Sequence, residues 1–263
     1  MRLACWLAAV VVAAGAYAPH AASAAVSPEE YRKVGISLPV QARLPLAERV
    51  IDSSGRSRPL RDFISRPTVL VLADYTCRTL CGPVIDFVAT ALEQSGLDAE
   101  GFALLVVGLD PKDNTQQANR MRAAHFPPGS KLTGTTEFVT SGQDALNAIV
   151  AALGYRAVYD EDDDVFVHPA AAYVLTTEGT VSRVLSGVGI TGNDMRLALT
   201  EASGGRIGTL GDRVRVLCSH FDPRRGTYDL VIWQATKLAA FGGALAFASF
   251  LLVLYVLGRR RAS

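Results

Sequence analysis

The sequence predicts an α/β domain, a mixed central sheet with helices on both faces, followed by a C-terminal transmembrane helix. Three observations predict the domain. Two unbroken apolar runs, "TVLVLADY" and "FALLVVGLD", suit strands buried on both faces. Capped segments of helical period follow them. Further on, two β-branched runs meet at Glu178-Gly179 and read as a β-hairpin.

Taken in order, residues 1–24 have the pattern of a secretory signal peptide. One early positive charge precedes a short apolar core from Leu3 to Ala16, and small residues surround a cut after Ala24. That core is shorter than the ~20 residues a spanning helix needs. Residues 25–48 are rich in Pro, Ala and charge without a clear period and form a leader. The domain follows at 49–203. Its first core strand is Thr68 to Tyr75, and Pro83 fits the first turn of a helix that stops at Gly96. Phe102 to Asp110 is a second buried strand. "DNTQQANRMRAAHF" is a helix capped by Asn or Thr and closed by Pro127-Pro128, and Ser141 to Gly154 is another that ends at a glycine. After the hairpin, "TGNDMRLALTEAS" closes the unit. This order, βαβα, a further helix, then ββα, is what implies the mixed sheet.

Residues 204–236 form a juxtamembrane segment and 237–258 the transmembrane helix, without a charge from Leu238 to Gly258. Arg259 to Arg261 begin a cytoplasmic tail, 259–263, which leaves the domain in the periplasm of a single-pass inner-membrane protein. The net charge is +1 and no basic stripe with interleaved aromatics occurs, so nucleic acid is not an expected partner. The acidic run Asp160 to Asp164 reads as a solvated loop.

The chemistry concentrates in "YTCRTLCGPV", where Cys77 and Cys81 stand four apart after the first core strand. With Cys5 lost in the signal peptide, the mature chain keeps these two and Cys218. An odd count in an oxidising compartment favours functional thiols over a stapled fold. At a helix start, positions i and i+4 share a face and the partial positive charge lowers thiol pKa. A structural disulfide, a redox dithiol and a metal-binding pair all fit that spacing. Of the histidines, His20 belongs to the signal peptide, His125 ends a helix as a structural residue, and His168 comes just before the hairpin strand expected beside the first core strand. Two thiolates and one imidazole suit copper, Cu(I) in particular, better than magnesium or calcium; zinc also fits by ligand type. Cys218 and His220 make a Cys-x-His pair near the membrane, read as a secondary site or a resolving thiol.

A sheet of this order with cysteines after its first core strand resembles the thioredoxin-like fold, although three residues separate the cysteines here and two do in thioredoxins. "YTCRTLCGP", "VVGLDPKDN" and "VHPAAAYVLTTEGTVSRVLSG" resemble, in order and spacing, the CxxxC, Asp-Pro and histidine segments of the Sco/SenC copper proteins, over roughly Val50 to Ser203. "RVLCSHFDPRRGTYDLVIWQATKLAAFGG" is similar to the tail of bacterial members with a Cys-x-His-[FY]-Asp-Pro segment before a membrane helix. Arg78 stands where the family usually has proline, and "VHPA" replaces its usual Asp-His-Ser context.

The resemblance implies a thioredoxin-type fold and a copper ion, Cu(I) or Cu(II), held by Cys77, Cys81 and His168. It also implies a role in assembling the binuclear copper centre of cytochrome c oxidase. The expected partner is the copper-bearing subunit of a haem-copper oxidase or another copper or thiol acceptor. The alternative is a thiol-disulfide oxidoreductase in which Cys77 attacks a disulfide, Cys81 resolves it and His168 tunes the thiolate.

Overall fold

The computed structural model describes residues 32–77, 81–161, 164–204 and 206, with Glu29, Ser249 and the backbone of 219–222 and 227–230. The signal peptide, Cys218 and, apart from Ser249, the predicted membrane helix lie outside the described residues. Among the described residues no helix is long and apolar enough to cross a membrane.

The central sheet has five strands. We number them β1 (Thr68–Ala73), β2 (Ala103–Gly108), β3 (Thr136–Val139), β4 (Ala171–Leu175) and β5 (Val181–Ser186). Their spatial order is β5-β4-β1-β2-β3. β1, β2 and β3 are parallel; β4 pairs antiparallel with β1, and β5 antiparallel with β4. The apolar run of β1 is explained by this central place: every one of its residues is buried. The expected hairpin is β4–β5, and its strand β4 does neighbour β1.

The helices are α1 (Cys81–Gln94), α2 (Thr115–His125), α3 (Gln143–Ala152) and α4 (Gly192–Ala202). Sequence-local caps set two of their starts. Asn114 and Gln117 form a capping box on α2, and Thr191 and Asp194 form one on α4. One face of the sheet, through Val69, Val71, Val106 and Val174, packs against α1, α2 and α4. The other, through Leu70, Leu72, Leu105 and Tyr173, packs against α3 and against Leu44, Leu60 and Phe63. This is the predicted layering, with helices on both faces.

Three parts differ from the sequence reading. β3 was not expected, because its four residues are too few to show a period. Residues 35–48, assigned to a leader, are packed into the fold: Gly35–Ile36 pairs with Tyr155–Arg156, Arg43 bridges to Thr180, and Leu44 is buried. Isolated apolar side chains anchor this segment, so no periodicity announces it. The acidic run is in part structural, since Val158–Asp160 and Val165–Val167 form a small antiparallel hairpin with Asp160 buried.

Gly179 turns the β4–β5 hairpin with φ +78°, and a Cβ there would come within 2.9 Å of Leu46 Cδ2. Gly179→Ala is therefore expected to lower stability by about 1–2 kcal/mol, from the left-handed backbone and the displaced leucine. Urea unfolding checks it; an unchanged midpoint would show that this turn does not clamp the segment around Leu46.

Candidate functional site

The cysteine loop is shaped by the residue that ends β1. Asp74 is fully buried. Its Oδ1 accepts hydrogen bonds from the Thr76 N–H at 2.9 Å and the Thr76 hydroxyl at 2.7 Å, an Asx turn. The Cys77 N–H donates to the Asp74 carbonyl at 3.3 Å, and the half-buried Cys77 side chain packs against the edge of the α1-side core. Tyr75 fastens the same loop to the sheet. Its hydroxyl lies 2.9 Å from the Val106 carbonyl and 2.8 Å from the Val139 carbonyl, and one proton serves both.

Cys77 lies in a turn that the Asp74 side chain shapes by capturing the backbone of Thr76, and Cys81 is the first described residue of α1. Residues 78–80, Arg78 among them, and the Cys81 side chain lie outside the described residues.

The same carboxylate also holds the histidine segment. Asp74 Oδ2 accepts from the Phe166 N–H at 3.2 Å, two residues before His168. The hairpin that carries Phe166 is clipped from its other side. Lys112, in the Asp-Pro segment, donates to Asp164 at 2.7 Å and to the Tyr159 hydroxyl at 2.9 Å, and these bonds raise its pKa. An exposed pair of this kind adds little stability but fixes which segments meet.

His168 is half-buried between that hairpin and β4. Its Nδ1 lies 2.8 Å from the Tyr155 hydroxyl and 3.1 Å from the Pro169 carbonyl. The hydroxyl of Tyr155 in turn donates to Pro169 O at 2.9 Å. In the tautomer with its proton on Nδ1, the ring donates to the Pro169 carbonyl, which can only accept. The neutral ring then has its lone pair on Nε2, the arrangement in which a second partner orients a metal-binding imidazole. Burial lowers the His168 pKa, opposed by the Pro169 carbonyl and the charge of Asp74. The imidazole is thus neutral at pH 7, as ligation requires.

Asp74 and Tyr155 were not singled out from the sequence. The Asp74-x-Thr76 spacing after a buried strand is an Asx-turn signal that could have exposed the first. Tyr155 lies thirteen positions before His168 in another element, and nothing local links the two.

Beneath the loop lies a third acid. Asp113 Oδ2 accepts from the Tyr75 N–H at 3.3 Å, while its Oδ1 is buried with no hydrogen-bond partner among the described residues. Gly108 makes the room: a Cβ there would meet Tyr75 Cε2 at 3.1 Å and Asp113 Oδ2 at 3.2 Å. Burial, with Asp74 and Asp110 nearby, raises the Asp113 pKa to about 7.

The structure thus gathers Cys77 and His168 on either side of one buried carboxylate, with Cys81 opening the adjacent helix. Among the described residues no three His, Cys, Asp or Glu side chains form a metal-holding group. His220 is described by its backbone alone, in Ser219–Asp222 paired with Thr227–Leu230.

Fold and loop together define a thioredoxin-like domain whose cysteines follow the first core strand and whose histidine enters from the segment ahead of the neighbouring antiparallel strand. The SCO1/SenC family model matches residues 49–201, more than half of the chain, and the chain belongs to that family. No curated protein matches the sequence. Among solved structures, a putative electron transfer protein from Aquifex aeolicus VF5 is 22% identical with a TM-score of 0.56, over 65% of this chain and 96% of that one. BsSco, described as a member of the Sco family of cytochrome c oxidase assembly proteins with a disulfide switch, is 18% identical with a TM-score of 0.52, over 64% and 98%. Arabidopsis thaliana ScoI with copper bound is 13% identical with a TM-score of 0.50, over 59% and 94%. At these identities the likeness concerns the fold.

Proposed function

We propose that the chain is a membrane-tethered periplasmic copper chaperone that assists assembly of the copper centre of cytochrome c oxidase. One observation carries the reading: His168 is neutral and oriented by Tyr155 and Pro169, and its segment is tied through Asp74 to the loop that bears Cys77. Thiolates and a neutral imidazole form a soft-to-borderline donor set that fits copper. Membership of the SCO1/SenC family supports the same reading, as does the solved copper-bound ScoI.

Copper is the cargo. Cys77 and Cys81 bind it as thiolates and His168 through Nε2, and an acceptor, the copper-bearing oxidase subunit, takes it by ligand exchange. Loading requires the dithiol, so the pair must be reduced beforehand. The disulfide switch named for BsSco supports a thiol role for the same cysteines. In that second reading Cys77 attacks a disulfide and Cys81 resolves the mixed disulfide. Residues 1–24 would direct export and 237–258 hold the domain at the inner membrane, with the C-terminus in the cytoplasm. Cys218 and His220 stand near the membrane as a secondary pair.

The test is copper retention by the reduced full chain. One tightly held Cu(I) is expected, with affinity falling about tenfold or more in Cys77→Ser, Cys81→Ser and His168→Ala. Cys218→Ser is expected to leave it unchanged. A reduced wild type that holds no copper but turns over a disulfide substrate would leave the thiol oxidoreductase instead.

A further inference from the structure

A cleft of about 420 Å³ opens on the α3 side of the sheet, a volume within the usual range of small-molecule sites. One wall is a single face of α3, because Gln143, Leu146, Asn147 and Val150 follow one another at helical spacing. Leu109 and Pro111, just past β2, and Phe166 of the small hairpin add apolar surface. Tyr155 and Arg156 bring in the strand that pairs with Gly35–Ile36, and Lys33 stands just ahead of that pair.

The charge of this cleft has one sign. Lys33 and Arg156 line it, and no aspartate or glutamate does among the described residues. The two cations are neighbours, since Arg156 Nε donates to the Lys33 carbonyl at 3.0 Å. A Cβ built on Gly35 would come within 3.4 Å of Arg156 Nη2, so the guanidinium lies along the paired strand and is fixed from two sides. Lys112, next to Pro111, is already paired with Asp110 and Asp164, whereas Lys33 and Arg156 enter no ion pair among the described residues.

An apolar body that ends in one negative group complements such a surface. Its body leaves water against Leu146, Val150 and Phe166. Its anion meets a guanidinium whose Nε is occupied and whose two terminal nitrogens form the fork that matches a carboxylate.

We propose that this cleft binds a small carboxylate with an apolar body, the carboxylate held by Arg156 and Lys33 and the body packed between α3 and Phe166. The inference goes beyond the copper reading and does not depend on it. The two sites nevertheless share Tyr155, which lines the cleft while its hydroxyl meets His168. An occupant therefore packs against the residue that orients the candidate copper ligand.

The probe is octanoate labelled at its carboxyl carbon, titrated into the full chain in detergent and followed by carbon NMR. A saturable shift with one site per chain is expected. Asn147 is exposed on α3, so Asn147→Trp fills the cleft from its rim without entering the core and is expected to abolish the shift. The same variant measures partition of octanoate into the detergent. Arg156→Gln is expected to weaken binding about tenfold. Lys33→Gln, which leaves the carbonyl that accepts from Arg156 in place, is expected to weaken it about threefold. Octanol carries the tail without the charge and is expected to compete about tenfold more weakly than unlabelled octanoate. A shift that persists in Asn147→Trp would be detergent partition and would overturn the site, as would the absence of any saturable shift. Undiminished binding in both charge variants, or octanol competing as well as octanoate, would leave an apolar cleft with no preference for an anion and overturn the proposal.

Discussion

Asp74→Ala is expected to destabilise the domain by about 2–4 kcal/mol and to lower its copper affinity by about tenfold or more. The buried carboxylate accepts three hydrogen bonds, from the Thr76 N–H, the Thr76 hydroxyl and the Phe166 N–H. Alanine removes every acceptor at once and leaves donors without partners next to a fully buried position. Thr76 is exposed and Phe166 half-buried, so the loss is that of three ordinary hydrogen bonds at about 0.5–1.5 kcal/mol each. The two effects have one cause. Without Asp74 the Cys77 turn and the His168 segment each regain freedom, and binding must then bear the entropy of ordering both.

Asp74→Asn separates the two ties. An amide oxygen in the Oδ1 position keeps the Thr76 turn, but its NH2 group faces the Phe166 N–H, a donor against a donor. Copper affinity between those of wild type and Asp74→Ala would place the histidine tie in the binding energy. Chelator competition gives the affinities and urea unfolding the stabilities. Wild-type affinity in a destabilised Asp74→Ala chain would reduce Asp74 to a structural role.

What could be read from the sequence follows from how local each determinant is. β1 and β2 were legible because a strand buried on both faces must be apolar throughout, and the cap at Asn114 because capping uses residues three positions apart. Cys77, Cys81 and His168 stood out by residue type. Their supports did not. Tyr155 reaches His168 through tertiary folding, and Asp113 meets Tyr75 across thirty-eight positions. β3 and the hairpin around the acidic run are too short to carry a period. Their pairing is decided by the sheet and by Lys112.

Asp113 makes the second large effect, and pH reveals it. In the unfolded chain its pKa returns to the ordinary value of 3.8, and in the folded chain it stands at about 7. Below the unfolded value both states hold the proton and Asp113 adds no pH dependence to stability. Between the two values the folded state holds a proton that the unfolded state has released, so stability falls as pH rises, and the loss is complete once pH has passed the folded value. At about 1.4 kcal/mol per pH unit, the interval from 3.8 to about 7 corresponds to about 4 kcal/mol, which screening by solvent at this partly accessible carboxyl reduces to about 2–4 kcal/mol. Asp113→Asn abolishes the titration. It also replaces the unpartnered Oδ1 by an NH2 group that suits the nearby Asp74 and Asp110 carboxylates, while its oxygen still accepts from the Tyr75 N–H. The variant is expected to match wild type near pH 4 and to exceed it by about 2–4 kcal/mol at pH 8, in unfolding curves recorded across that range. Equal stabilities at both ends would mean that Asp113 is ionised and compensated in the fold. A gap that opens with pH would identify the carboxyl beneath the cysteine loop as a proton held by folding.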